Sequence, residues 1–144
     1  MLGKKELSCG VIITDGDELL GCIPFGKRNA LDIPKGHCEI HENPIECAIR
    51  ETKEETGIIV DRSKLHEVGH FSYTESKDLE IFLLIIEELP DIKNLKCRSY
   101  FDFHGKPVPE MVGYKVVPYT KEGIKDFYDK LKPILEKVLE DFIL

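Results

Sequence analysis

Residues Gly36–Ile58, GHCEIHENPIECAIRETKEETGI, hold a complete helix signature between two glycines. Asn43 belongs to the residue class that caps a helix N-terminus. Pro44 suits the first helical position, where its missing N–H removes a donor that has no partner anyway. Glu46 stands three residues after the cap, in a capping-box arrangement. Gly57 falls just past the last turn, where a left-handed residue closes the helix and a Cβ is penalised. The spacing therefore predicts a helix over Pro44–Thr56. At about 100° per residue, Glu51, Glu54 and Glu55 share an arc of about 100°, and Ile45, Ala48, Ile49, Thr52 and Thr56 share a neighbouring arc suited to packing inward.

Like charges at these spacings each cost an isolated helix about 0.2–0.5 kcal/mol, so something must offset them. A solvated face laced with salt bridges is the ordinary explanation of an acidic run. It fits poorly here, because Lys53 points away from the acidic arc and Arg50 lies at its margin. A divalent cation with oxygen ligands, such as Mg²⁺, offsets the repulsion directly.

Working outward, Leu7–Thr14 and Glu18–Ile23 read as the two strands of a hairpin around Asp15-Gly16-Asp17. Gly26–Leu31 reads as loop and Ile33–Gly36 as an extended piece ended by Pro and Gly. Beyond the helix, Lys64–Thr74 and Leu79–Glu87 read as strands. The second contains the unbroken apolar run Ile81–Ile86, as expected of a strand buried on both faces and central to a sheet. Lys93–Tyr100 and Gly113–Val117 are shorter strand candidates, separated by a loop with Gly105, Pro107 and Pro109. From Ile124 to Phe142 apolar residues recur at helical spacing, which predicts one or two amphipathic helices docked on the sheet, with Pro133 at a break or first turn. The order is strands, helix, strands, helix, and the fold class expected is an α/β/α sandwich with a mixed β-sheet.

The chain has 144 residues, 42% of them hydrophobic and 33% charged, which suits one globular domain over 1–144 and not a disordered chain. Five cysteines, an odd number without a C-x-x-C pair, suggest neither a disulfide framework nor a zinc ribbon, and fit a reducing cytoplasm. Nothing resembles a signal peptide or a membrane span. The net charge of −7 argues against broad binding to a nucleic-acid backbone, but not against a nucleotide or a single RNA end. An acidic protein that handles phosphates needs local positive charge, and bound divalent cations supply it.

Gly36, five residues, Glu42, seven residues, then Arg50-Glu51-Thr52-Lys53-Glu54-Glu55-Thr56-Gly57-Ile58 resembles the Nudix box. Every Gly, Glu and Arg position matches. The one departure is Thr52, where the family pattern has an aliphatic residue. The resemblance implies a sandwich fold and Mg²⁺-dependent (or Mn²⁺-dependent) hydrolysis of a phosphoanhydride bond in a nucleoside diphosphate linked to another group. By the same resemblance Glu51, Glu54 and Glu55 hold the cations, and Glu51 also orients or deprotonates the attacking water. Arg50 steers the catalytic glutamate, and Glu42 supports it from behind. Gly36 lets the backbone approach the metal, with its carbonyl as a candidate ligand.

Two further segments resemble dinucleoside polyphosphate hydrolases. Pro34-Lys35-Gly36-His37 matches their entry to the box, which makes Lys35 a candidate phosphate contact, with a merely solvated lysine as the alternative. Glu110 precedes Tyr114-Lys115-Val116 by the family's four positions, which makes it a candidate metal ligand or base, although Val116 stands where those enzymes have Trp. Tyr114 itself reads as core packing. Lys27 and Arg28 are weaker phosphate candidates. Phe25, Tyr73, Phe101 and Phe103 are candidates for stacking a base. His37, Cys38 and His41 lack a second ligand cluster, so no zinc site is expected from them. His66 and His70 read as same-side residues of one strand, without a ligand role.

The leading expectation is a hydrolase leaning towards dinucleoside polyphosphates or a 5′-capped RNA end, with ADP-ribose, NADH or FAD as alternative substrates. A catalytically inactive nucleotide-binding module on the same fold is a competing class. It has no need of three mutually repelling carboxylates. An isomerase acting on a diphosphate is a third and more remote class.

Overall fold

The computed structural model describes residues 5–26 and 30–144. Lys27 and Arg28 fall outside the described residues. A mixed sheet runs in the order β4-β5-β1-β2-β8, with β3 paired to β1. Its strands are β1 (Glu6–Thr14), β2 (Glu18–Pro24), β3 (Lys35–His37), β4 (Leu65–Thr74), β5 (Lys77–Ile85) and β8 (Met111–Pro118). β1 and β5 are parallel, and the remaining pairs are antiparallel. The hairpin expected at the N-terminus exists, but β1 and β2 share only the register Thr14↔Leu19 before diverging. The gap between them is filled by β3, which sets Gly36 opposite Cys9.

The alternation of side chains along β5 explains the sandwich. Leu79, Ile81 and Leu83 belong to one buried apolar cluster, and Phe82 and Leu84 to another. The first cluster is closed by the C-terminal residues Ile124, Phe127, Leu131, Leu135 and Val138. The second is closed by Cys47 and Ala48 of α1 (Pro44–Thr56). An apolar run read as a doubly buried strand thus has a helical layer on each face.

The α1 termini follow the sequence closely. Asn43 Oδ1 accepts from the Glu46 N–H at 2.9 Å, and the Glu46 carboxylate accepts from the Asn43 N–H at 3.3 Å. Gly57 takes φ 83° and its N–H donates to the Lys53 carbonyl. The next three carbonyls, which a helix end leaves without partners, are met from distant segments. Arg98 N–H donates to Glu54 O, the Tyr114 hydroxyl to Glu55 O, and Lys96 N–H to Thr56 O.

These bonds correct the strand expected over Lys93–Tyr100. Its N–H groups at Lys96 and Arg98 are committed to the end of α1 and cannot form a ladder. The segment is a short 3₁₀ turn, Ile92–Asn94, followed by irregular chain. The loop expected around Gly105 is instead a hairpin of β6 (Tyr100–Phe103) and β7 (Lys106–Pro109). His104 and Gly105 both take positive φ, 53° and 82°, the two-residue turn that matches strand twist. Pro107 and Pro109 are tolerated because this ribbon is two strands wide, so every strand is an edge. At the C-terminus the helical pattern resolves into α2 (Lys121–Ile124) and α3 (Lys132–Val138), with Pro133 in the first turn of α3, and a wider final turn over Leu139–Ile143.

Thr52, the one departure from the box, is fully buried, and its hydroxyl is without a hydrogen-bond partner among the described residues. An unmet buried hydroxyl costs about 1–3 kcal/mol. Thr52→Val keeps the shape and removes the polar atom, so we expect it to raise unfolding free energy by about 1 kcal/mol. A denaturant titration checks this, and an unchanged or lower midpoint would show that the hydroxyl is satisfied in solution.

Candidate metal centre

The acidic arc of α1 faces β3 and the start of β8. Glu51 and Glu55 are buried, at 7% and 2% exposure, while Glu54 is half-exposed. The Lys35 N–H of β3 donates to Glu55 Oε1 at 2.9 Å. Gly36 lies directly beneath Glu51, and a Cβ built at Gly36 would overlap the Glu51 carboxylate carbon and both of its oxygens. The glycine is therefore required by the carboxylate above it, a more specific reason than turn geometry. Its carbonyl accepts a 3.5 Å contact from the Cys47 thiol.

Arg50 ties the group together. Its Nε and Nη2 bind both Glu42 oxygens, at 2.6 and 2.8 Å, the bidentate fork that suits guanidinium to carboxylate. Nη1 reaches Glu51 at 2.9 Å and Glu54 at 3.2 Å, and Nη2 also donates to the His37 carbonyl at 3.0 Å. The margin position inferred from helical angles understates Arg50, because its long side chain folds back over the acidic face. Hydrogen bonds from Arg50 hold the Glu42 carboxyl down at about 2.

Glu110, at the junction of β7 and β8, arrives beside this group. Burial first, and then a hydrogen bond shared with Glu110, push the Glu55 carboxyl up to about 10. Burial also raises Glu51, against the pull of Arg50, with Glu54 and Glu110 adding repulsion. Four carboxylates thus lie near enough to perturb one another, and Arg50 hydrogen-bonds to two of them. The donor set is all hard oxygen and carries excess negative charge, which fits a divalent cation.

Other candidates are placed differently. The Lys35 side chain lies 2.9 Å from Asp32 and over the Tyr73 ring. Burial opposes its charge, yet the Asp32 ion pair raises its pKa overall. Only its N–H touches the carboxylates. Tyr73 keeps company with Lys35 and Lys130, apart from the other aromatic candidates. Phe25, Phe101 and Phe103 form one edge-to-face trio with ring centroids 5.1–6.5 Å apart, beside the centre through the bond from Phe25 N–H to Glu110 O at 2.9 Å. His66 and His70 do not share a face, because a bulge between Glu67 and Gly69 sets His66 opposite Leu83 and His70 opposite Glu80.

The Nudix domain model matches residues 4–138. The chain belongs to the Nudix family. A 17.7 kDa protein from the e-segB intergenic region of Enterobacteria phage T4 is 33% identical to it over 128 residues, covering 81% of this chain and 85% of that protein. Among solved structures, an Ap4A hydrolase from C. elegans superimposes with a TM-score of 0.66 at 21% identity, over 94% of this chain and 96% of that one. The bifunctional NMN adenylyltransferase/ADP ribose pyrophosphatase of Francisella tularensis gives 0.72 at 15% identity, over 98% of this chain and 42% of that one. This chain spans less than half of that protein and of a MutT/nudix family protein from Enterococcus faecalis. These structural likenesses establish the fold. Among the described residues no helix is long and apolar enough to cross a membrane.

The Glu55 carboxyl gives the centre a pH signature. Its folded value of about 10 lies above its ordinary 4.5, so the metal-free folded chain binds one more proton than the unfolded chain between these limits. Its contribution to stability is full below about 4.5 and is lost as pH rises towards 10. A divalent cation must displace that proton. We expect Mg²⁺ titration near pH 7 to release about one proton per chain, with apparent affinity rising with pH. Calorimetry in buffers of different ionisation enthalpy measures it, and heats independent of buffer would refute the assignment.

Proposed function

We infer that the chain is a one-domain hydrolase that uses Mg²⁺, with Mn²⁺ as a substitute, and directs water at a phosphoanhydride of a nucleotide substrate. The observation that carries this reading is that Glu51, Glu54, Glu55 and Glu110 share one site in which, among the described residues, Arg50 is the cation whose side chain hydrogen-bonds to them. When bound, the cation supplies charge neutralisation at the phosphoryl oxygens and a more acidic water. The protein's part is placement. Glu54, Glu55 and Glu110 are the proposed ligands together with Glu51, and the Gly36 carbonyl is a further candidate. Glu51 holds the attacking water or accepts its proton. Arg50 fixes Glu51 and Glu54 in register and is itself fixed by Glu42.

The substrate reading leans towards dinucleoside polyphosphates, with a capped RNA 5′ end as a second case. It is supported by Pro34-Lys35-Gly36-His37, by Glu110 and by the likeness to the Ap4A hydrolase. Phe101 and Phe103 are 36% and 44% exposed and offer a stacking surface for a base next to the phosphate site. The Lys35 ammonium is paired with Asp32 and lies over Tyr73, so phosphate contact by Lys35 would require it to leave that ion pair. Five free thiols fit a reducing, cytoplasmic setting.

A panel of diadenosine polyphosphates, capped RNAs, ADP-ribose, NADH, FAD and nucleoside triphosphates, assayed with Mg²⁺, tests the substrate class. The highest kcat/KM is expected for a diadenosine polyphosphate, and preference for ADP-ribose or a triphosphate would overturn the lean. Removing a stacked base contact costs about 1–3 kcal/mol. Phe103→Ala should therefore raise KM about tenfold with kcat nearly unchanged, and an unchanged KM would remove the aromatic trio from the substrate site.

A further inference from the structure

Three of the five cysteines meet behind the acidic centre. Cys9 comes from β1, Cys38 from the chain just after β3, and Cys47 from the first turns of α1, and their sulfur atoms all lie within 4.8 Å of one another. Cys9 and Cys47 are fully buried, and Cys38 is partly open to solvent. We propose that Cys9, Cys38 and Cys47 form a three-thiolate site for a soft, thiophilic d¹⁰ cation, separate from the carboxylate centre.

Chemistry and geometry both favour this over three small apolar fillers. The donor set is sulfur alone, which selects soft cations and rejects the Mg²⁺ that carboxylates take. Metal–sulfur bonds of about 2.3 Å place three sulfurs about 4 Å apart around one ion. The trio already approaches that spacing, and the partly exposed Cys38 gives the ion its way in. The Cys38 and Cys47 thiols donate to backbone carbonyls, Glu42 O at 3.4 Å and Gly36 O at 3.5 Å, contacts that are exchanged for metal–sulfur bonds when an ion binds. Three thiolates exceed the charge of one cation. Burial and the nearby Glu42 carboxylate hold Cys38 and Cys47 in the thiol form without an ion, so a bound cation must itself displace their protons. On binding, the thiol protons pass to solvent and no oxidation occurs. The ion links β1, the loop carrying Glu42, and α1, so it stabilises the folded chain.

The motif is not visible as a spacing. His37 and His41 take no part, and Cys9 joins Cys38 only because the β1–β3 register sets Cys9 opposite Gly36. A disulfide is the poorer reading, since it would pair two sulfurs of a three-sulfur cluster and leave the third without a role.

The test uses the full reduced chain with saturating Mg²⁺ to occupy carboxylates, titrated with Cd²⁺ while thiolate-to-cadmium charge-transfer absorption is recorded. We expect saturation at one Cd²⁺ per chain. Cys38→Ser should lower the affinity at least about tenfold and the band by roughly one third, whereas Cys97→Ser leaves both unchanged. In the unaltered chain, Cd²⁺ should also shield Cys38 from alkylation, read by peptide mass spectrometry. Absence of the band, its full survival in Cys38→Ser, its loss in Cys97→Ser, or unshielded Cys38 would each overturn the proposal.

Discussion

Glu54→Gln is expected to lower Mg²⁺-dependent turnover by more than about 100-fold, above the 10–100-fold typical of residues that only support a metal ligand. The substitution keeps size and hydrogen-bonding reach while removing one negative charge. Glu54 is the most exposed of the helix trio, with 40% of its side chain accessible, and its pairing with Arg50 at 3.2 Å is a secondary contact of a guanidinium anchored on Glu42. The fold therefore survives, and the thermal midpoint without metal stays close to that of the unaltered chain. A loss of turnover with retained folding locates the defect in cation binding, and raising Mg²⁺ should restore part of it. Retained turnover at ordinary Mg²⁺ would count against the ligand assignment.

Gly36→Ala should be almost as damaging through a methyl group alone. The added Cβ falls inside the Glu51 carboxylate, so either Glu51 swings off its 2.9 Å contact with Arg50 or β3 pulls away from β1. Displacement of a reacting group by about 1 Å costs about 100-fold in rate, whereas stability changes little, because the clash falls on the far end of the Glu51 side chain. The cause is checked by a double substitution. If the clash with Glu51 is responsible, Gly36→Ala added to Glu51→Gln lowers turnover little further. Fully multiplicative losses would mean that Gly36 acts independently, through its own carbonyl.

The parts of the fold that were legible are those encoded locally. Asn43, Pro44, Glu46 and Gly57 set both ends of α1 because capping and left-handed closure depend on a few adjacent residues. The run Ile81–Ile86 announced a strand covered on both sides because burial on two faces removes the polar alternation, and its first four residues are the buried ones. What escaped was decided at a distance. The Lys93–Tyr100 segment forms no strand because its N–H groups at Lys96 and Arg98 are recruited by the carbonyls ending α1. The β6–β7 hairpin was hidden by Pro107 and Pro109, which argue against a central strand and not against an isolated ribbon. His-Gly at 104–105 was the available signal, since a glycine preceded by a residue tolerant of positive φ suits a two-residue turn.

The site divides in the same way. The spacing of Glu51, Glu54 and Glu55 on one helix face is a local property and was readable. The reach of Arg50 was not, because helical angles describe where a side chain starts and Arg50 spans beyond its own arc. Lys35 shows the converse. Its neighbour Gly36 faces the carboxylates, so alternation along β3 turns the Lys35 side chain to the opposite face and leaves its N–H at the centre. Glu110 sits beside Glu55 through tertiary pairing of Phe25 with the chain before β8, and in sequence only its resemblance to a short motif marked it.

On the proposed function, this carboxylate centre directs water at phosphorus. Incubation of the purified chain with diadenosine tetraphosphate and Mg²⁺ in ¹⁸O-labelled water, followed by mass analysis of both products, measures it directly. The account predicts one ¹⁸O atom in a single phosphate-bearing product, abolished by chelation of the metal. Product without label, product of unchanged mass, or cleavage that persists after chelation would contradict it.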